Sequence, residues 1–168
     1  MAERRTERKW FWVWDFEKEE RWLNEMALKG WALVDVGFCR YTFERCEPGE
    51  YTIRLEMHPA EQSYLDFMAE TGAEMVGRYF AWLYFRKKAE DGSFDLFSDI
   101  DSRISHLQRI GRMLTIIGFA NLLLGMVNIY NPGRTGALNL LCATLLMYSL
   151  GRIHGKKEAL ERDRELQE

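Results

Sequence analysis

The feature that most constrains this chain is a stretch of 24 residues that is written twice. Residues 22–45 read WLNEMALKGWALVDVGFCRYTFER, and a shift of 42 positions lays them without a gap over residues 64–87, YLDFMAETGAEMVGRYFAWLYFRK. The shift aligns seven identical pairs: Leu23/Leu65, Met26/Met68, Ala27/Ala69, Gly30/Gly72, Val34/Val76, Phe38/Phe80 and Phe43/Phe85. Internal similarity of this kind indicates one structural unit used twice.

Each copy has the pattern of a helix that ends at a glycine and is followed by two strands, with a further strand before the helix. The predicted elements of the first copy are a strand at 10–16, a helix at 17–29 and strands at 31–36 and 38–45. Those of the second copy are a strand at 51–57, a helix from 59 to the glycine stop at 72, and strands at 74–79 and 80–87. The repeat therefore predicts an α+β fold in which a tandem strand-helix-strand-strand unit forms one antiparallel sheet with two helices on one face.

The last third of the chain is different in kind. Residues 99–112 carry apolar residues at helical spacing, residues 113–130 contain no charge, and residues 137–151 are again uncharged. Two uncharged helices joined by the turn 131–134 predict a transmembrane hairpin, although the second is short for a span. The alternative is a buried helical hairpin that packs on a partner.

The charges beside this hairpin predict its orientation. Six basic residues lie on its flanks, whereas the turn contains only Arg134; the six are Arg103, Arg109, Arg112, Arg152, Lys156 and Lys157. By the positive-inside rule the protein is expected in the cell membrane with both termini in the cytoplasm.

These patterns predict six segments. They are a flexible N-terminus at 1–9, the duplicated α+β domain at 10–88, a linker at 89–98, a juxtamembrane amphipathic helix at 99–112, the hairpin at 113–151, and a charged helical tail at 152–168.

Composition and motifs exclude several functions. The net charge is −3 with acids and bases intermixed, so nucleic acid is not expected as a partner. The three cysteines form no CxxC pair, no secretory signal opens the chain, and His58, His106 and His154 have no metal-ligand spacing. No glycine-rich phosphate loop is present. The sequence therefore predicts no enzyme activity, no metal and no cofactor.

The alternation within the strands predicts a binding face. Ile53, Leu55 and Met57 alternate with Thr52, Arg54 and Glu56, so one side faces a core and the other does not. When this alternation is applied to the equivalent strands of both copies, large aromatic and charged residues fall on the side away from the helices. Such a surface indicates a ligand or a partner. The predicted ligand-binding residues are Trp12, Trp14, Arg40, Arg54, Glu56, Trp82 and Tyr84. Two alternatives remain open: the first strand is shifted by one residue so that its tryptophans are core, or the linker or a second subunit covers this face.

Three long strings identify a resemblance: EERWLNEMALKGWALVDVGFCRYTFERCEPGEYTIRLE, YLDFMAETGAEMVGRYFAWLYFRK and LFSDIDSRI. They resemble the bacterial domain-of-unknown-function family 2812 over residues 10–110. This resemblance implies a place beside regulators of the PadR type and transfers no catalytic residue. The paired units are also similar in architecture to gyrase-inhibitor-like effector-binding domains, which implies an aromatic cleft with an acid, here Glu56, for a lipophilic cation.

The resulting hypothesis is a membrane-anchored cytoplasmic sensing domain. It would bind a small amphipathic ligand on the aromatic face, as an accessory to a transcriptional or envelope-stress response. The alternative is a scaffold that docks a transcriptional regulator, or a second copy in a homodimer, through the same face.

Overall fold

The structure, a computed structural model, describes residues 3–97, 99–130 and 135–166. It consists of two compact units, Met1–Leu96 and Phe97–Glu168. The described part of the first unit contains six strands and two α-helices: β1 (Arg4–Arg8), α1 (Phe16–Leu28), β2 (Trp31–Gly37), β3 (Arg40–Arg45), β4 (Tyr51–Met57), α2 (Gln62–Glu70), β5 (Ala73–Tyr79) and β6 (Trp82–Lys88). Single 3₁₀ turns precede α1 (Val13–Asp15) and follow β6 (Ala89–Asp91).

The six strands form two antiparallel sheets with the same internal order. The first sheet is ordered β1-β3-β2 and the second β4-β6-β5, so the third strand of each copy lies between the other two. The predicted α+β class and the tandem repeat are therefore confirmed. The arrangement within that class differs from the prediction, because two three-stranded sheets take the place of one.

Residues that are identical in the two copies have identical structural roles. Gly30 and Gly72 end their helices with φ of +80° and +82°, a conformation that disfavours any residue with a Cβ. The pairing register shifts at Val34 between β2 and β3, and at Val76 between β5 and β6. Each copy thus carries a β-bulge at the same valine, which bends the strand at the same place.

The first strand lies earlier in the chain than predicted. Residues 10–16 do not form a strand, and the predicted flexible segment 1–9 contains β1, which pairs along its length with β3. Arg4 faces Glu44 across the pair at 3.6 Å. A short strand of charged residues suits a sheet edge, because charge discourages pairing with another chain.

The pairing registers show why the 42-residue period predicted the wrong position for the first strand. Arg8 lies opposite Arg40 as Met57 lies opposite Trp82, so these equivalent strand residues are 49 positions apart rather than 42. The first copy therefore holds seven extra residues between its first strand and its helix. They form a loop in which Trp12 and Trp14 contact each other, so ring contacts and not strand pairing explain the alternating aromatics.

The two helices lie on opposite faces of the second sheet. Leu83 and Phe85 of β6 are fully buried in a cluster with Met68 of α2. Tyr84, between them, points to the other face and bonds to Glu19 of α1. The expectation that both helices share one face is therefore wrong.

Helix α1 is the layer that both sheets share. On one side Trp22 packs edge-on against Tyr41 and Phe43 of β3, with ring centroids 5.0 and 5.7 Å away. On the other side the Asn24 amide donates to the carbonyl oxygen of Ile53 at 2.8 Å and accepts from the N–H of Ile53 at 2.9 Å. The side chain of Asn24 thus replaces a neighbouring strand at the edge of β4.

The second unit is an antiparallel pair of long helices, α3 (Ile100–Val127) and α4 (Thr135–Glu165). The Asp99 carboxylate caps α3 by accepting from the N–H of Ser102 at 2.7 Å. Both helices are continuous from their apolar to their charged segments, so the juxtamembrane helix and the first apolar segment form one helix. The predicted turn at 131–134 lies outside the described residues.

Glycines at every seventh position bring α3 and α4 together. A Cβ added at Gly118 would lie 2.7 Å from Met147, and one at Gly125 would lie 2.7 Å from Leu140. Gly111 faces Leu150. Small residues at this spacing allow close approach of two helix backbones without a driving force from water, as in membrane helix pairs.

Both helices are long and apolar enough to span a membrane, with mean hydropathies of 1.7 and 1.3 over their best windows. Only 28% and 22% of those windows is buried inside the structure. Large apolar side chains such as Ile116, Leu123 and Leu141 are more than half exposed. This chain does not cover them as it would cover core helices, so the helices indicate association with a membrane.

Candidate binding surface

The seven residues predicted to bind a ligand do not form one face. Tyr84 is 5% exposed, and its hydroxyl donates to Glu19 at 2.6 Å. Glu56 is also 5% exposed and accepts from the Tyr64 hydroxyl at 2.6 Å. Because Glu56 lies opposite Leu83 in the sheet, it shares the α2 face, whereas Tyr84 faces α1. Both residues are covered by helices of their own chain.

The predicted charged residues have partners within the unit. Arg54 bonds to Glu20 of α1 at 3.3 Å, and Arg40 bonds to Asp35 at 3.2 Å. Trp82 is partly buried against Phe16, with ring centroids 5.6 Å apart. Within the predicted set, Trp12 and Trp14 stack on each other, with ring centroids 4.9 Å apart and an interplanar angle of 6°.

These two tryptophans begin a continuous row of surface rings that the sequence did not predict as a unit. Trp12 contacts Trp10 at 5.3 Å, Trp10 contacts Phe38 at 5.9 Å, and Phe38 contacts Tyr79 at 6.1 Å between ring centroids. Trp10 is 55% exposed, Trp12 43%, Phe38 67% and Tyr79 39%. We call Trp10, Trp12, Trp14, Phe38 and Tyr79 the aromatic strip.

The strip is built from three chain segments that meet at one end of the unit. The loop before α1 supplies the tryptophans, the turn between β2 and β3 supplies Phe38, and the end of β5 supplies Tyr79. The backbone N–H of Lys9 donates to the carbonyl oxygen of Cys39 at 3.1 Å, which fastens the loop to the first turn. The turn between β5 and β6 adds Phe80, 65% exposed, beside Tyr79.

Two residues at these turns have unusual backbones. Cys39 has φ of 50° and Phe80 has φ of 54°, in the left-handed region where a residue with a Cβ is disfavoured. A bulky residue there costs about 1 kcal/mol or more relative to glycine. Phe80 recovers little of this by packing, because most of its ring is exposed. Strain without a packing gain is a signature of a functional position.

Exposed basic side chains border the strip, and we call Arg8, Lys9, Arg40 and Arg78 the basic rim. Arg8 lies opposite Arg40, which directly follows the first turn. The Arg78 guanidinium donates to the carbonyl oxygen of Phe80 at 3.2 Å. Asp35 is the acidic residue that pairs with this rim, through Arg40. The strip and rim together offer an apolar surface with a positively charged margin.

The clearest pKa shifts belong to three buried side chains, Glu19, Tyr41 and Tyr84. One oxygen of Glu19 accepts from the hydroxyls of both Tyr84 (2.6 Å) and Tyr41 (2.8 Å). Burial raises the pKa of Glu19, and the two hydroxyl bonds oppose that rise only in part. The pKa values of both tyrosines are raised by burial and by the neighbouring carboxylate. Since Tyr41 belongs to the first sheet and Tyr84 to the second, Glu19 links the two sheets.

The residues 3–97, 99–130 and 135–166 contain no group of three His, Cys, Asp or Glu side chains that could hold a metal ion. The candidate surface itself offers aromatic area for burial, cation–π attraction and ion pairing.

One sequence signal could have located the strip. Phe38 and Phe80 are an identical pair in the two copies, as are the buried Phe43 and Phe85. Phe38 and Phe80, however, occupy exposed turn positions, where polar residues are usual. Trp10 and Tyr79 gave no comparable signal, because their meeting depends on how three separate segments fold together.

The structure thus defines a class of protein: a duplicated α+β unit with an exposed aromatic surface, followed by two helices able to span a membrane. A family model described as "Protein of unknown function (DUF2812)" matches residues 15–119, and this chain belongs to that family. The match includes both copies of the repeated stretch, residues 22–45 and 64–87, and the first 20 residues of α3. Comparisons with curated proteins and with solved structures found no match.

The family membership expected from the sequence is therefore confirmed. The association with PadR-type regulators and the likeness to gyrase-inhibitor-like domains remain predictions.

Proposed function

We propose that this protein is a membrane-anchored interaction protein without catalytic activity, and that its first unit binds an amphipathic partner through the aromatic strip. The observation that carries this proposal is the continuous contact of five aromatic rings on the surface of a small unit. Folding normally buries such rings, and an exposed patch of them marks a binding site more often than chance.

The basic rim supports a partner with a negative or polar end. An apolar body would lie on the rings, and an anionic group would meet Arg8, Lys9, Arg40 or Arg78. The lipophilic-cation hypothesis depended on Glu56, whose carboxylate is buried and accepts from Tyr64. An anionic or zwitterionic amphiphile therefore suits this surface better than a cation.

The apolar hairpin supplies the anchor in this proposal. Basic residues on both flanks of the apolar segments favour termini in the cytoplasm, where the first unit would sample amphiphiles or regulators. The physiological role that we propose is an accessory to a transcriptional or envelope-stress response, in partnership with a PadR-type regulator. The support for that role is the family resemblance.

The proposal can be tested by titration of the full chain in nanodiscs of zwitterionic lipid. All six tryptophans lie between residues 10 and 82, so tryptophan emission reports only on the first unit. We expect a saturable change with anionic or zwitterionic amphiphiles that is lost in Trp12→Ala. Trp31→Ala is the matched control, since it removes a tryptophan at the opposite end of β2 from the strip. The absence of any saturable change would contradict small-molecule binding.

A second candidate function is the docking of a protein, either the regulator or a second copy. Trp, Tyr and Arg are the residues that most often dominate protein interfaces, and the strip with its rim supplies all three. If a protein is the partner, co-purification with the regulator, or self-association, will be lost in Trp12→Ala and kept in Trp31→Ala, while amphiphiles will have no effect.

A further inference from the structure

We propose that the partner of the aromatic strip is the surface of an anionic phospholipid bilayer, so that the first unit binds the membrane through contacts of its own. This inference deepens the proposed function and rests on it, because it names the amphipathic partner. It commits to lipid headgroups and the adjoining acyl boundary, and soluble amphiphiles and proteins are alternative outcomes of the test.

The composition of the strip is the first argument. Three of its five rings are tryptophans and one is a tyrosine, and these side chains combine an apolar ring with one hydrogen-bonding group. This combination is enriched at the membrane–water boundary, where the ring enters the apolar zone and the N–H or O–H stays among headgroups.

The position of the rings is the second argument. Phe38 and Phe80 occupy the two-residue turns of the two hairpins, and Phe38 contacts Tyr79 at the end of β5. Rings at turns reach furthest from the sheet body, so they can enter a flat surface without moving the rest of the unit. The left-handed backbone of Phe80 keeps a mostly exposed ring at a position where glycine would be less strained.

Charge complementarity is the third argument. The basic rim places the guanidinium groups of Arg8, Arg40 and Arg78 on residues next to the strip, with Arg40 paired to Asp35. The Lys9 ammonium lies beside them, over the rings of Phe11 and Trp22. Each basic residue near an anionic membrane surface strengthens binding about fivefold. The chain as a whole gives no such bias, since its net charge, rim included, is −3. The rim is therefore a local positive field on an otherwise acidic protein.

The fourth argument is proximity. The same chain carries two helices able to span a membrane, which would keep a bilayer at high effective concentration for any surface of the first unit. Weak affinity of a few exposed rings and basic groups is then sufficient for binding, whereas a freely diffusing protein would need a larger buried area.

The test uses the full chain in nanodiscs made with brominated lipids, which quench tryptophans that enter the bilayer. We expect strong quenching and a blue shift when phosphatidylglycerol is included, and weak quenching in pure phosphatidylcholine. Quenching should fall at least twofold in Arg40→Gln/Arg78→Gln and in Phe38→Ser/Phe80→Asn. Both double variants change exposed residues, so unfolding temperature should show that they fold. Lys29→Gln/Lys87→Gln, which removes two lysines outside the rim, is the matched control and should leave quenching unchanged.

The outcomes separate this inference from the proposed function. A saturable response to soluble amphiphiles without brominated-lipid quenching overturns the inference and keeps the function. Capture of a protein partner without lipid quenching also overturns the inference and favours the docking function. Quenching that is equal in anionic and neutral bilayers, or unchanged in both double variants, also overturns the inference. If lipid quenching, the response to soluble amphiphiles and the binding of a protein partner are all absent, both the inference and the proposed function are wrong.

Discussion

Glu19 is a single acidic residue that accepts hydrogen bonds from both sheets, through Tyr41 and Tyr84. Its carboxylate is buried, and its pKa is raised above the ordinary value of 4.5 by that burial. The two tyrosine hydroxyls donate to the same oxygen, Oε1. A glutamine could therefore keep both hydrogen bonds while it removes the charge, and an alanine could keep neither.

The first prediction follows for Glu19→Gln. A carboxyl whose pKa is raised in the folded state binds its proton more tightly there, so its contribution to stability is present at low pH and is lost as pH rises from about 4.5 through the folded pKa. The unfolding temperature of the wild type should therefore fall relative to Glu19→Gln as pH rises through this range. Glu20 also has a raised pKa, but it is present in both proteins and cancels.

Glu19→Ala provides the contrast. It leaves the buried hydroxyls of Tyr41 and Tyr84 without their acceptor, which should cost about 2–4 kcal/mol relative to Glu19→Gln at any pH. Thermal unfolding followed by tryptophan emission measures both variants. A wild type that gains stability over Glu19→Gln as pH rises would contradict the buried carboxyl.

A second prediction at this scale concerns Phe80. Asparagine tolerates a left-handed backbone better than phenylalanine, and the exposed ring contributes little packing. Phe80→Asn should therefore leave the unfolding free energy unchanged or raise it by up to about 1 kcal/mol. Chemical denaturation checks this. A loss of more than about 1 kcal/mol would mean that the ring packs on the unit, which would weaken its assignment to the binding surface.

At the scale of elements, the equivalent helices α1 and α2 of the two copies make different contacts. Asn24 of α1 binds the edge of β4 through two hydrogen bonds to Ile53, whereas Asp66, its equivalent in α2, accepts from Gln62 of its own helix at 2.7 Å. The same position in the repeat thus serves tertiary structure in one copy and local structure in the other.

This difference gives the third prediction. Asn24→Ala leaves the N–H of Ile53 without its side-chain acceptor and leaves the C=O with Arg54 as its side-chain donor, at 3.2 Å. The change should cost about 1–3 kcal/mol. Asp66→Ala is the matched control, and because its position is exposed it should cost less than about 0.5 kcal/mol. Denaturation midpoints of the two variants measure the contrast. Equal losses would show that α1 does not stabilise the β4 edge through Asn24.

The helix pair allows a graded test, which is the fourth prediction. A Cβ at Gly125 would meet side-chain atoms of Leu140 at 2.7 and 2.8 Å and its backbone nitrogen at 3.2 Å, so the backbones must separate. At Gly118 the near atom is the flexible end of Met147, and at Gly151 nothing lies within 4 Å. Helix stability in micelles, followed by circular dichroism, should fall most for Gly125→Ala, less for Gly118→Ala, and not for Gly151→Ala. A loss with Gly151→Ala equal to that with Gly125→Ala would contradict the packing.

The sequence predicted the elements better than their assembly. The repeat and the alternation of apolar residues located both helices and the five strands from β2 to β6, because glycine stops and alternating apolar residues are local signals. It misplaced β1, since an aromatic run such as WFWVW looks like a strand whether its rings pair across a sheet or with one another. The position of α1 between two sheets depends on long-range bonds from Glu19 and Asn24, which leave no periodic trace.

The candidate surface was predicted only in part, for the same reason. Trp12 and Trp14, two residues apart in the sequence, both lie in the strip. Tyr84 and Glu56 were expected on an open face but are buried, because a strand covered on both faces has no open side. Because α1 covers one face of this sheet and α2 covers the other, the alternation of residues along its strands does not show which side chains are exposed.

At the scale of the whole molecule, the antiparallel pairing of α3 and α4 constrains topology. Asp101 near the start of α3 binds Arg164 near the end of α4 at 3.1 Å, so both polar ends of the helix pair lie together. If the apolar segments span a membrane, residues before α3 and after α4 must be on the same side of it.

The fifth prediction tests this topology. The protein should stay with membranes after alkaline carbonate extraction, and tags at either terminus should show the same accessibility in intact cells. We expect both tags to be protected, since the flanking residues are basic. Release of the protein by carbonate would exclude the span, and tags of opposite accessibility would exclude the hairpin.

The contact between β2 and β5 has a consequence for the origin of this architecture. These strands are equivalent in the two copies, and they approach so closely that a Cβ at Gly77 would lie 2.6 Å from Val36. Contact between equivalent strands is what two separate half-length chains would make across a twofold axis. Gene fusion of such a pair would have turned an intermolecular contact into an intramolecular one. In a fused chain each half can change separately, which agrees with a tryptophan-rich loop that the first copy has and the second lacks.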